Sequence, residues 1–148
     1  MTPAYSKLYL GDASLALGSM LESAVYLFGI DLEIFWKLFL TSYVSAEFAC
    51  GLSGTVSGKS GWELAVSVLE DANVEFTHEK PKGVVGRSRE FWAGWGLAQY
   101  QWRTGLSFAE IEAFAPLKMI LLMYSPYHEM DVVRLFEVLD GKRKDAEV

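Results

Sequence analysis

The loop Gly54-Thr-Val-Ser-Gly58-Lys59-Ser60 carries residue types that could do chemistry. It looks like a phosphate-binding loop, in which backbone amides of a glycine-rich turn wrap phosphates and a lysine reaches the terminal ones. That loop needs four residues between its first glycine and the Gly-Lys-Ser triplet. Here there are three, and the position required for the first glycine holds Ser53. The motif should also follow a buried strand, whereas Tyr43 to Cys50 reads as helix. The spacing therefore predicts no nucleotide site. Ser60 and Glu63 match a capping box instead, which makes the loop a mobile lead into a well-capped helix.

The other polar clusters are equally incomplete. His128, Glu129 and Asp131 are ligand types, but a zinc site needs three or four converging ligands. The only other histidine, His78, lies far off in sequence. On a helical projection His128 falls toward Val132, Leu135 and Leu139, which predicts a half-buried, hydrogen-bonded ring. No serine sits in a glycine-flanked elbow, and Cys50 lies among aromatic and acidic residues rather than cations. No catalytic residue, metal or cofactor is expected. Thr104-Gly-Leu-Ser-Phe-Ala-Glu-Ile resembles the turn of a helix-turn-helix, which keeps a DNA-binding regulator as a third reading. Glu110 and Glu112 would face phosphate there, and no basic recognition face follows.

Two sets of residues remain as binding candidates. Trp92, Gln99 and Trp102 can line a ligand pocket, with Gln99 as the polar handle: a buried amide needs partners, and an unpaired one marks a ligand position. Lys80, Lys82, Arg87 and Arg89 form the only locally basic stretch and are candidate contacts for an acidic partner.

Stepping outward from these residues, the chain is predicted to organise around Ser88–Thr104. On a helix, Phe91, Trp95, Ala98 and Trp102 form one stripe, while Tyr100, Ala93 and Leu97 lie nearly opposite. A helix apolar on both sides is packed all round. Gly94 and Gly96 each lower helix propensity by roughly 1 kcal/mol relative to Ala, which predicts close approach by another backbone. Amphipathic periodicity predicts a helix from Tyr5 to Phe28 stopped by Gly29, and another capped by Asp31 that bends near Ser42. Further helices follow Ser60, Ser107 (with Glu110, a second capping box), Pro116 and Ser125-Pro126, the last stopped by Gly141. A short hairpin is possible near 74–86, and 142–148 reads as a frayed tail. The expected fold is all-α: one domain spanning 1–148, six or seven helices about the Trp-rich helix at 88–104.

The 148 residues carry a net charge of -6, which argues against a general nucleic-acid binder. A single cysteine leaves no intramolecular disulfide. The most apolar stretch, Leu27 to Leu40, is interrupted by Asp31, Glu33 and Lys37, too short and charged to span a bilayer. With no signal peptide evident, the expected compartment is the cytoplasm.

Asp12-Ala13 through Leu17-Gly18, Gly29-Ile-Asp-Leu-Glu-Ile-Phe, Phe91-Trp-Ala-Gly-Trp-Gly-Leu-Ala-Gln-Tyr-Gln-Trp, Thr104-Gly-Leu-Ser-Phe and His128-Glu129-Met-Asp131 together resemble a family of small uncharacterised bacterial proteins. The resemblance covers most of the chain. Members are encoded beside small proteins resembling ADP-ribosyltransferases, an arrangement like a toxin–antitoxin pair. It implies a binding role, and an acidic chain able to cover a basic partner, but assigns no site residue. The expected function is a cytoplasmic protein-interaction module, antitoxin- or immunity-like. The competing class is an enzyme or small-molecule binder with a Trp-lined pocket. No nucleic acid or membrane partner is expected, and the oligomeric state is left open.

Overall fold

The structure is a computed structural model that describes residues 2–77 and 88–147. Among the described residues every regular element is helical, in line with the all-α expectation. None of their helices is long and apolar enough to cross a membrane. Lys80, Lys82, Arg87 and most of the possible hairpin at 74–86 lie outside the described residues. Of its first strand, Val74 to Phe76 forms no regular element, and Phe76 packs edge-on against Phe28.

Helix starts follow the side chains that satisfy free amides. A single 3-10 turn, Lys7–Tyr9, leads into α1 (Leu10–Tyr26), and Gly29, at φ +63°, turns the chain out of it. Asp31 caps α2 (Leu32–Thr41) by accepting from Ile34 N. Ser42 makes the expected bend: its hydroxyl donates to Phe39 O at the end of α2 and accepts from Ser45 N at the start of α3 (Tyr43–Ala49). The glycine-serine loop holds one helical turn, α4 (Ser53–Val56). The Ser60–Glu63 capping box then opens α5 (Gly61–Asp71). Ser88 caps α6 (Arg89–Thr104), and Gly105, at φ +72°, closes it. A second capping box, Ser107–Glu110, opens α7 (Phe108–Phe114).

The remaining segment departs from the sequence reading. Pro116 sits at the cap rather than inside α8 (Leu117–Leu122). Ser125 and Pro126 do not start the last helix. They belong to one turn, α9 (Tyr124–Tyr127), and Asp131 caps α10 (Val132–Ala146). His128 ends α9, so it stacks on Tyr124 at 4.2 Å instead of facing the α10 core. Gly141 does not stop α10, which runs on with Arg143 and Glu147 paired at one helical turn. The expected frayed tail is therefore helical through Ala146. Among the described residues there are ten α-helices rather than six or seven, because bends at Ser42 and Met123 divide long apolar stretches and the glycine-serine loop coils.

The central pair is α1 against α6, and glycine makes it possible. A Cβ on Gly94 would lie 2.6 Å from Leu17 O, and one on Gly18 would lie 2.8 Å from Phe91 O. The two backbones thus touch at Gly94, as expected, whereas Gly96 faces the Leu135 side chain of α10 and no backbone. Along α6 Glu90, Ala93, Gly94, Gly96, Leu97, Ala98, Tyr100 and Gln101 are buried. Phe91, Trp92, Trp95 and Trp102 stand at the flanks, half-buried. The aromatic stripe is therefore the edge of this contact and not its centre. Around the pair, Phe108 joins α7 to α2 and α3 through its rings with Phe39 at 5.2 Å and Phe48 at 5.7 Å. Tyr100, fully buried, donates to Asp140 Oδ1 at 2.9 Å and ties α10 to the same core.

Candidate functional site

The Trp92, Gln99 and Trp102 set does not converge. Gln99 Nε2 donates to Ser14 Oγ at 2.9 Å, and Ser14 in turn donates to Leu10 O. Trp102 Nε1 donates to Tyr5 O at 2.8 Å. The Trp92 ring meets Tyr124 edge-on at 5.9 Å. Each side chain serves a different neighbouring segment, so Gln99 is a structural link and not a free handle. The fully buried amide is Gln101, two residues on. Its Nε2 donates to Ala49 O at 3.0 Å and Leu106 O at 2.9 Å, while Oε1 has no partner among the described residues. The signal for it was present in the sequence: Ala93, Leu97 and Gln101 are spaced i, i+4, i+8 on the face opposite the Trp stripe.

The glycine-serine loop lines an open cavity of about 380 Å³ with Asp12 and Ser19 of α1. Its chemistry does not suit phosphate. Ser57 Oγ donates to Asp12 Oδ2 at 2.6 Å, and Glu63 holds Ser60 N at 3.1 Å. That backbone bond, with the Ser60 hydroxyl, keeps the Glu63 carboxyl below the usual carboxylate range. An anion arriving at the α5 N-terminus would meet these two carboxylates.

Of the basic stretch, Arg89 is described. It is the first residue of α6, its Nε lies 3.6 Å from Glu90 Oε1, and its side chain is more than half exposed. Glu90 is only 5% exposed and also accepts from Tyr26 Oη at 3.2 Å. The Tyr26 hydroxyl is raised by burial first and by the Glu90 charge second. Glu22, likewise buried, accepts from Ser88 Oγ at 2.6 Å. Two buried carboxylates thus gather at the N-terminus of α6, where the helix dipole favours negative charge.

Arg89 and Glu90 form one end of a groove. A cavity of about 380 Å³ lies between them, the start of α2 and α8, walled by Ile30, Leu32, Leu121 and Leu122 and reached by Lys118. A second cavity of about 230 Å³ shares Glu33 and Lys118 with the first and adds Trp36, Lys37, Glu112 and Leu117. Together they run along α2 and α8. Lys37 and Lys118 make no ion pair among the described residues. Leu122, on the rim, is 70% exposed. At the far end Glu112 accepts from Trp36 Nε1 at 3.2 Å and Leu117 N at 3.0 Å. Burial raises its carboxyl above the usual range, helped by the charge of Glu33 and opposed by those two bonds. Residue pattern alone hinted at this groove. The stretch after Pro116 is apolar all round with Lys118 as its single charge, yet such a helix normally sits inside a protein. Trp92, Gln99 and Trp102 line none of these three cavities. No protein-family model, curated protein or solved structure matches the chain.

Proposed function

We propose that the chain is a cytoplasmic protein-interaction module, an antitoxin- or immunity-like partner of a neighbouring enzyme, and that the α2–α8 groove receives that partner. The observation that carries this reading is Leu122, largely exposed beside Lys118 in a groove that continues to Lys37, neither lysine having an ion-pair partner among the described residues of an acidic protein. An exposed apolar rim around a concave surface is the usual mark of an interaction site. Lys37 and Lys118 would steer and register a segment bearing carboxylates next to an apolar anchor, with charge acting mainly on the association rate. Arg89 stands at the end of the same groove, so it remains a partner contact, now shared with Glu90.

Capture from the native host followed by mass spectrometry tests the proposal, comparing wild type with Leu122→Asp. A protein retained by wild type and lost from the variant supports the groove. Equal retention by both places the contact elsewhere.

A second reading, a small-molecule binder or enzyme, draws on Glu112, a half-buried carboxyl raised above its usual range beside a cavity. Its two hydrogen bonds have an architectural use, holding the first amide of α8 and the Trp36 indole, which favours the interaction reading.

A further inference from the structure

Opposite charges line the α2–α8 groove without meeting. Glu33 of α2 and Lys118 of α8 border both cavities, yet no ion pair joins them among the described residues. On the α2 side the chain runs Asp31, Leu32, Glu33, Ile34, with both carboxylates exposed and Ile34 57% exposed. On the α8 side Lys118 and Leu122 stand one helical turn apart, and both are exposed. Leu122 borders the first cavity from α8, and Ile30 and Leu32 border it from the start of α2.

An occupant of this groove needs a cation and an apolar side chain for the α2 side, and a carboxylate beside an apolar side chain for the α8 side. This chain carries both sets on the groove itself. A two-fold axis laid along the groove, between α2 and α8, brings α2 of each copy over α8 of the other, as a self-complementary patch requires. Glu33 then meets Lys118 of the second copy, and Lys118 meets Glu33 of the second copy. Leu122 comes down over Ile30 and Leu32 of the second copy, so each copy fills the other's first cavity. The groove sets four carboxylates against three cations, far nearer balance than a chain of net charge -6. A surface of one sign would repel its own copy, and this one does not.

We propose that a second copy of this chain occupies the α2–α8 groove about that axis, so that the protein covers its own interaction surface until a partner takes it. The competition with a partner rests on the interaction reading above, whereas the dimer rests on the groove alone. The contact is confined to two short helices and their flanks, which makes the dimer weak and concentration-dependent.

Sedimentation equilibrium of the full chain over a range of concentrations tests the proposal. Wild type should pass from monomer to dimer. Glu33→Lys and Lys118→Glu each set like charges against one another twice across the axis, and each should weaken self-association by about tenfold or more. Mixed together, the two variants should form a heterodimer, because every contact across the axis is again one lysine against one glutamate. The chain carrying both substitutions should dimerise by itself as wild type does. These rescues separate charge pairing from misfolding. Wild type that stays monomeric at every concentration overturns the proposal, as does a dimer that both single variants leave unchanged or a mixture that fails to pair. A monomeric wild type that still captures a host protein through Leu122 would leave the groove to the partner alone, so failure here is distinct from failure of the interaction reading.

Discussion

Gly94→Ala puts the packing of α1 on α6 under strain at its tightest point. The new Cβ would lie 2.6 Å from Leu17 O, 2.8 Å from Gly18 Cα and 2.9 Å from Leu17 C. That is about 1 Å inside the ~3.5 Å at which carbon contacts become favourable. All three atoms are backbone, so no side chain can rotate away and the helices must part. Overpacking of this kind costs about 1–3 kcal/mol, occasionally more. Against it stands a helix-propensity gain of about 1 kcal/mol on replacing glycine. With backbone on both sides the cost falls at its upper end, leaving a net loss of about 2 kcal/mol. For a chain of this length that lowers Tm by about 4–8 °C. Gly141 in α10 supplies the control: it is exposed, and a Cβ there meets nothing within 4 Å. Gly141→Ala should gain up to about 1 kcal/mol from propensity alone. Urea unfolding reports both variants, with an unchanged m-value showing that stability rather than the unfolded state has moved. Gly94→Ala at or above wild-type stability, with Gly141→Ala behaving as expected, would refute the glycine contact as the centre of the fold.

Trp95→Ala, at the half-buried flank of that contact, should destabilise by about 2 kcal/mol, below the 3–5 kcal/mol of a core aromatic; a larger loss in urea unfolding would show a core position. Gln101→Ala removes two hydrogen bonds and strands Ala49 O and Leu106 O, and should cost about 2–4 kcal/mol, more than Gln99→Ala, by the same measurement. Glu112 predicts a pH dependence. Its carboxyl is raised in the fold, so the stability it contributes is present below its unfolded value and lost as pH rises through the folded one. Glu112→Gln removes that titration, so urea midpoints should shift in favour of the variant as pH rises from about 4 and then level off. A shift in favour of wild type over that range would contradict the sign. Glu63, lowered by its capping bonds, behaves oppositely: its contribution is present above the unfolded value and lost on acidification, so Glu63→Gln should flatten the acid limb.

Caps and turns were the most legible part of this chain, because they are local. Ser60 with Glu63, Ser107 with Glu110, Asp31, Gly29 and Gly105 all act as their residue types dictate. Gly94 announced a backbone contact, though not that Gly18 of α1 would meet it, and Gly96 proved to admit a leucine side chain instead. Which side of α6 lies deepest could not be read from hydrophobicity. Gly94 and Ala98 allow α1 to come close, Leu97, Tyr100 and Gln101 are buried as well, and the indoles of Trp92, Trp95 and Trp102 remain half-buried at the rim. Gln101 was legible only through its spacing from Ala93 and Leu97; its two carbonyl partners come from separate segments and are fixed by tertiary structure. Gly141 failed as a helix stop because no following contact draws the chain into a left-handed turn, and α10 simply continues. The groove was the least legible feature. It joins Glu33 and Lys37 of α2 to Lys118 of α8, residues brought together only when Glu112 pins the start of α8 against Trp36.

Reversing the two groove lysines gives the decisive comparison for the interaction reading. Lys37→Glu with Lys118→Glu changes the groove, while Lys142→Glu with Lys144→Glu changes net charge equally on exposed α10. Capture of the host partner is measured for both over a range of salt, since steering by exposed charges fades as the Debye length contracts. The groove variant should lose the partner at low salt while the α10 variant keeps it. Identical capture by the two variants at every salt concentration would contradict the groove as the partner site.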